Sequence, residues 1–201
     1  MFTTGKCQKI EAIEFLRRHK YTARYDVFWR FVAGLLDVEG KGEEFFTAIE
    51  DKPRDLLGPT YQRLVMHCLS EASAEMPLRS SLETSLKEWL LFECKFTRQA
   101  RLASEVEFPE RALFDALQEE SDVKMAILES LAKRLTLPSH SVNLILSWLE
   151  DGESTVLKRE SVRSAALKVL KAQPSLSDEP LTALSLLLDS NKRDRADKRR
   201  A

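Results

Sequence analysis

Hydrophobic residues recur three and four positions apart along most of this chain. Such spacing places them on one face of a helix and leaves the polar residues on the other face. The pattern predicts helices over about residues 8–18, 25–36, 43–49, 61–72, 77–94, 110–119, 123–135 and 142–149, and a further helix from residue 162. Pro and Gly residues fall in the links, where they end helices or restart them. The sequence therefore predicts an all-α fold.

The predicted helix over residues 25–36 is apolar nearly all round. Trp29 lies on its main apolar stripe, and Val27, Phe31 and Leu35 extend that stripe to the other sides. A helix that is apolar on most sides is usually buried on most sides. We therefore expect this helix to be enclosed by the rest of the protein.

A segment beginning at Val123 returns 39 residues later, beginning at Val162. The matched pairs are Val123 and Val162, Lys124 and Arg163, Ala126 and Ala165, Leu128 and Leu167, and Leu131 and Leu170. A period of this length with helical spacing is typical of stacked helical repeats. We predict a solenoid of helical hairpins over residues 107–201, preceded by a helical subdomain over residues 1–106.

The same register predicts that the array is incomplete at its C-terminal end. Four leucines follow four apolar residues of the preceding hairpin at the same interval: Leu181, Leu184, Leu187 and Leu188 after Val142, Ile145, Trp148 and Leu149. The helix that should pair with them would begin at residue 201. Because a terminal repeat without a cap exposes an apolar face, we expect either a continuation of the array or self-association through this end.

Composition narrows the class of protein. Hydrophobic residues make up 43% and charged residues 31%, and the net charge of −1 does not favour a general polyanion-binding surface. The three cysteines form no C-x-x-C pair, and their odd number argues against a disulfide framework. No apolar run is long enough to cross a membrane. We expect a cytoplasmic protein without a membrane-bound segment.

Catalytic and metal-binding chemistry is weakly represented. His67 and Cys68 could form a base beside a thiol, but adjacent helical residues point in different directions and Cys68 falls on an apolar stripe. We interpret Cys68 as a core residue and expect no enzyme activity, no cofactor and no metal. The basic segment Lys192–Arg200 could bind nucleic acid, but Asp194 and Asp197 interrupt it. A solvated terminus is the favoured interpretation of that segment.

Two parts of the chain resemble known families. Asp122-Val-Lys-x-Ala-Ile-Leu128 and Val162-Arg-x-Ala-Ala-Leu167 resemble the second helices of HEAT repeats, and this resemblance covers about residues 109–201. Residues 21–36, 53–59 and 62–66 are similar to the helical region that follows the NACHT nucleotide-binding domain of STAND-type signalling proteins. The resemblance implies a part that connects the ATP-driven switch to a partner-sensing array.

The chain departs from the complete STAND pattern at the nucleotide site. A phosphate-binding loop needs the form G-x-x-x-x-G-K-[ST], whereas the nearest segment, Gly40-Lys41-Gly42, lacks the spacing and the hydroxyl residue. ATP hydrolysis is therefore not carried over from the resemblance.

These observations predict a non-catalytic protein-protein interaction module or regulatory scaffold. In HEAT arrays the second helices line the concave partner-binding surface, so the resemblance implies binding residues on the outward faces here. Those residues are Met125, Glu129, Lys168 and Lys171. The alternatives are a HEAT-like enzyme with a pocket in the concave face, and nucleic-acid binding through the basic C-terminal tail.

Overall fold

A computed structural model of the protein describes residues 6–55, 58–150 and 160–173. These residues form nine α-helices and two short 3₁₀ helices, and they contain no strand. The α-helices are α1 (Lys6–His19), α2 (Asp26–Val38), α3 (Gly42–Glu50), α4 (Thr60–Leu69), α5 (Arg79–Thr97), α6 (Glu110–Ala116), α7 (Ser121–Leu131), α8 (Ser139–Glu150) and α9 (Glu160–Lys171). The 3₁₀ helices are Ala23–Tyr25 and Leu102–Ser104. The all-α prediction is confirmed.

The chain divides into two compact units. The first consists of Met1–Leu90 with Glu107–Ala112, and the second of Leu91–Val106 with Leu113–Ala201. The boundary between subdomain and repeats at residue 106 stays a prediction, since the units interleave in sequence. The leucines of residues 181–188 and the basic tail lie outside the described residues.

The first unit packs its helices around Trp29. Helix α2 contacts both α3 and α4, and α1 contacts α3. Trp29 is buried, with the rings of Phe28, Phe15 and Tyr25 at centroid distances of 4.9, 5.9 and 6.2 Å. Its indole nitrogen donates a hydrogen bond to the carbonyl of His19 at 3.4 Å. Other fully buried side chains of this core are Leu16, Phe45, Phe46, Ile49, Met66, Leu69, Leu86 and Leu90.

The expectation that helix 25–36 is enclosed on most sides is wrong. Helices α3 and α4 cover the face of α2 that carries Trp29 and its buried neighbours Ala33 and Leu36. Val27, Phe31 and Leu35 lie on the opposite face and are exposed. The apolar residues of α2 therefore form two faces. The described part of the chain covers only the face that carries Trp29.

The second unit is built around α7 and α9, which pack against each other. Helix α8 also contacts α9, and the 3₁₀ helix Leu102–Ser104 contacts α7. The described core of this unit draws apolar side chains from these elements and from the end of α6: Leu102, Ala103, Leu113, Leu117, Val123, Ile127, Leu131, Ile145, Trp148, Leu149, Val162, Ala166, Val169 and Leu170.

Much of the burial pattern of α7 recurs 39 positions later in α9. Both members are buried in five pairs: Val123 and Val162, Ile127 and Ala166, Ser130 and Val169, Leu131 and Leu170, and Arg134 and Gln173. Both members are exposed in three pairs: Asp122 and Ser161, Glu129 and Lys168, and Lys133 and Ala172. In the other five pairs over residues 122–134 the two members differ in burial. The repeat in the sequence is therefore matched in part by a repeat of side-chain environment.

Two buried polar side chains at the same register position each bind the backbone of an earlier segment. The Gln173 Nε2 donates to the carbonyl of Arg134 at 3.3 Å, across a separation of 39 residues. The Arg134 Nε donates in turn to the carbonyl of Ala103 at 2.7 Å. Both side chains are buried. Because a buried carbonyl without a donor is costly, these bonds favour one register of α7 and α9 over others.

Replacing Arg134 with methionine is expected to lower the free energy of unfolding by about 2 kcal/mol, because the buried carbonyl of Ala103 loses its charged donor. Methionine keeps much of the length of the side chain. Urea denaturation followed by circular dichroism measures the loss. Lys133→Met, at the adjacent exposed position, is the control and should change stability by less than about 0.5 kcal/mol. Equal losses in the two variants would contradict a role for the Arg134 bond.

Candidate functional site

The predicted partner-binding residues lie on the two helices that pack together in the second unit. Met125 is half-buried and Glu129 is exposed on α7, whereas Lys168 and Lys171 are exposed in the last turn of α9. Glu129 and Lys168 occupy equivalent register positions, so they lie on corresponding faces of neighbouring helices. The structure thus places one acidic and two basic side chains on the solvent side of this helix pair. Their binding of a partner stays a prediction.

One side chain of α7 packs against a tryptophan of α8. Lys124 is buried, and its ammonium group lies over the ring of Trp148 at 5.5 Å from the centroid. A cation over an aromatic face is attracted by the ring quadrupole. Burial lowers the pKa of Lys124, and the nearby charge of Glu119 opposes that shift. Trp148 is therefore a packing partner in this unit.

The cysteines of the described core are not activated nucleophiles. Burial raises the pKa of the Cys68 thiol, which is fully enclosed. Burial also raises the pKa of Cys94 to about 12. The thiolate is the reactive form of cysteine, so both side chains remain protonated at neutral pH. His67 directs its Nδ1 to the carboxylate of Asp26 at 3.3 Å. The interpretation of Cys68 as a core residue is confirmed.

The first unit contains a buried lysine that the hydrophobic pattern of the sequence does not predict. Lys20 is only 2% exposed, and its ammonium group donates to the carbonyl of Ile49 at 2.8 Å and to that of Asp51. These carbonyls lie at the C-terminal end of α3, where carbonyl groups lack partners within the helix. Lys20 therefore caps α3 from a distance of about 30 residues in sequence. A positive charge also suits this end of the helix dipole.

Burial lowers the pKa of Lys20 to about 8, and the neighbouring charge of Arg54 contributes to the shift. The exposed ion pair between Arg17 and Asp51, at 2.7 Å, lies beside it. A lysine with a depressed pKa can serve as a nucleophile when substrate reaches it. Here the ammonium group is almost completely buried and donates hydrogen bonds to two backbone carbonyls. The geometry therefore fits a structural cap.

None of the helices within the described ranges is long and apolar enough to cross a membrane. Predictions of a cytoplasmic location, of a concave-face pocket and of a nucleic-acid-binding tail stay predictions. Comparison of the chain with protein-family models, with curated proteins and with solved structures finds no match.

Proposed function

We propose that this chain is a non-catalytic protein-protein interaction module or regulatory scaffold that binds its partner through the exposed faces of α7 and α9. The observation that carries the proposal is that eight of the thirteen residue pairs 39 positions apart over residues 122–134 have the same burial, on two helices that pack side by side. Such recurrence supports a HEAT-like stack, in which each repeat contacts its neighbours. The faces left exposed then form one continuous surface for a partner.

The charges on this surface narrow the chemistry of the partner. Lys168 and Lys171 lie one turn apart on α9, with Glu129 at the equivalent position on α7. The pair of lysines favours acidic side chains on the opposing surface, and Glu129 favours a basic one. Complementary rim charges mainly raise the association rate and select among partners. We propose a partner whose docking surface is predominantly acidic opposite α9.

The resemblance to the helical region after a NACHT domain gives this binding role a setting. In that setting the first unit connects a nucleotide-driven switch to the array, and the second unit senses the partner. The segments at residues 21–36 and 53–59, which carry this resemblance, support the proposal. They contribute the buried Trp29 on α2 and the exposed Pro53 beside the cap of α3.

Reversing the charge of both lysines, in Lys168→Glu with Lys171→Glu, is expected to reduce partner capture at least about 10-fold. Two attractive pairs become repulsive, and like-charge contacts across an interface cost several kcal/mol. The full chain is immobilised, and proteins captured from extract are quantified by mass spectrometry. The control is Lys95→Glu with Arg111→Glu, which makes the same charge change at two other exposed positions.

Circular dichroism should be the same for both double variants and the parent chain. An identical set of captured proteins in all three would count against binding through α9. Loss in both variants alike would show that capture depends on net charge and not on this surface.

A further inference from the structure

One face of α2 in the first unit is apolar and open to solvent. The α2 stripe, as we name it, consists of Val27, Phe28, Phe31, Leu35 and Val38, with exposed fractions of 60%, 38%, 68%, 66% and 89%. At 1.5 Å per residue it is about 16 Å long. Single exposed apolar residues are ordinary on a protein surface, whereas a contiguous patch marks an interaction site.

The area of the α2 stripe suits a small interface. The five exposed fractions together equal about three fully exposed residues. With about 150–250 Å² for a large side chain, the exposed area of the stripe is about 500 Å². On a typical monomer the largest exposed apolar patch covers about 300–600 Å². The area of the α2 stripe lies toward the upper end of that range. Two such surfaces pressed together bury about 1,000 Å², the lower limit for a specific contact between proteins. The area therefore fits a reversible dimer.

The order of side chains along the stripe is self-complementary. Its four most exposed members run Val27, Phe31, Leu35, Val38, with smaller residues at both ends and larger ones in the middle. When two copies of α2 lie antiparallel about a two-fold axis, Phe31 of each copy faces Leu35 of the other. Val27 of each copy then faces Val38 of the other. A two-fold interface requires such reciprocal pairing.

Charges at the two ends of the stripe favour the same arrangement. Arg24 lies one turn before Val27, and Glu39 directly follows Val38. An antiparallel pair brings each Arg24 within side-chain reach of the other copy's Glu39, whereas a parallel pair would place like charges together. In the single copy, Arg24 donates to the hydroxyl of Tyr25 at 2.9 Å and Glu39 binds Lys41 at 2.9 Å. Both contacts are exposed, and the exposed ion pair between Glu39 and Lys41 contributes little stability.

We propose that a second copy of this chain docks on the α2 stripe, forming an antiparallel two-fold dimer through α2. This surface belongs to the first unit and differs from the α7–α9 face proposed for a partner protein. It also differs from the C-terminal end expected to self-associate. The side chains of the stripe match a second copy of it both in size and in charge. An unrelated partner would need neither match, so a copy of this chain is favoured.

The test is a sedimentation-equilibrium series on the full chain, from about 1 to 500 µM. The parent chain should pass from monomer to dimer within this range, as expected for an interface of this area. Phe31→Glu with Leu35→Glu should weaken dimerisation at least about 100-fold, because charge enters an apolar contact. The control is Phe92→Glu with Phe96→Glu, which makes the same charge change at another pair of exposed apolar residues, whose rings lie 4.4 Å apart. That control should leave the dimer intact.

A charge-exchange series tests the antiparallel arrangement without altering the apolar residues. Arg24→Glu alone and Glu39→Arg alone should each weaken the dimer about 3- to 10-fold, and the two changes combined should restore it. This series also decides the matter if the Phe31 and Leu35 variant fails to fold.

Three results would overturn the proposal. The first is a parent chain that remains monomeric at about 500 µM. The second is a dimer that survives Phe31→Glu with Leu35→Glu in a folded protein, or that the Phe92 and Phe96 control abolishes instead. The third is a combined Arg24 and Glu39 exchange that fails to recover the affinity lost by the single changes.

Discussion

Replacing Trp29 with alanine is expected to lower the free energy of unfolding of this protein by about 3–5 kcal/mol, the range for a large aromatic residue truncated in a core. Trp29 is 1% exposed and lies among Phe15, Tyr25 and Phe28. Its removal leaves a cavity between α2 and its neighbours, and it also deletes the hydrogen bond to His19. Urea denaturation followed by circular dichroism gives the change.

Phe31→Ala is the matched control for Trp29→Ala. It truncates an aromatic residue two positions away on the same helix, but on the exposed face. Measured at submicromolar concentration, where copies of the chain are apart, it should change stability by less than about 1 kcal/mol. Similar losses for the two variants would show that the buried and exposed faces of α2 are assigned incorrectly.

The contrast between Trp29 and Phe31 shows how far hydrophobic spacing predicts this fold. Spacing is a local property, so it located the nine described helices to within a few residues. It could not tell which apolar face of α2 is covered, because that depends on where α3 and α4 pack. Both faces of α2 satisfy the same periodicity. Only the tertiary arrangement distinguishes a core stripe from an open one.

The candidate site was predictable to a different extent. The 39-residue register alone placed Glu129 and Lys168 on equivalent outward positions, and their exposure agrees with it. The register did not indicate that Arg134 and Gln173 reach back to earlier backbone carbonyls. Both are polar residues two or three positions beyond the end of a helix, where a solvated side chain is the ordinary expectation. Their burial depends on segments 31 and 39 residues earlier in the chain.

Lys20 is the clearest case of a residue that sequence could not place. It falls in the polar link after α1, where lysine is normally solvated. Its burial depends on the end of α3, whose carbonyls of Ile49 and Asp51 need donors. The flexible lysine stem allows the ammonium group to reach them. A charge buried in this way has a consequence for stability that can be measured against pH.

Stability is expected to rise with pH between about 7 and 9 because of Lys20. Burial lowers its pKa to about 8 in the folded protein, against 10.5 for an ordinary lysine. Between these two values the unfolded chain binds more protons than the folded chain, so raising the pH favours folding. The full contribution is up to about 3 kcal/mol, of which about 1 kcal/mol falls between pH 7 and 9. Urea denaturation at a series of pH values measures the slope.

Lys20→Met separates this effect from the other titrating groups. Burial also raises the pKa of the Cys68 thiol and of the Tyr61 hydroxyl, and those groups lower stability as the pH rises past their ordinary values. They are unchanged in the variant, so the difference between the two pH curves isolates Lys20. Lys20→Met should be less stable than the parent chain at neutral pH, since two carbonyls lose their donor. Its stability should also lack the Lys20 contribution that rises between about pH 7 and 9. The control is Lys95→Met, at an exposed position, and its stability should depend on pH in the same way as that of the parent chain. A rise that persists in Lys20→Met would mean that the ammonium group is not buried against the end of α3.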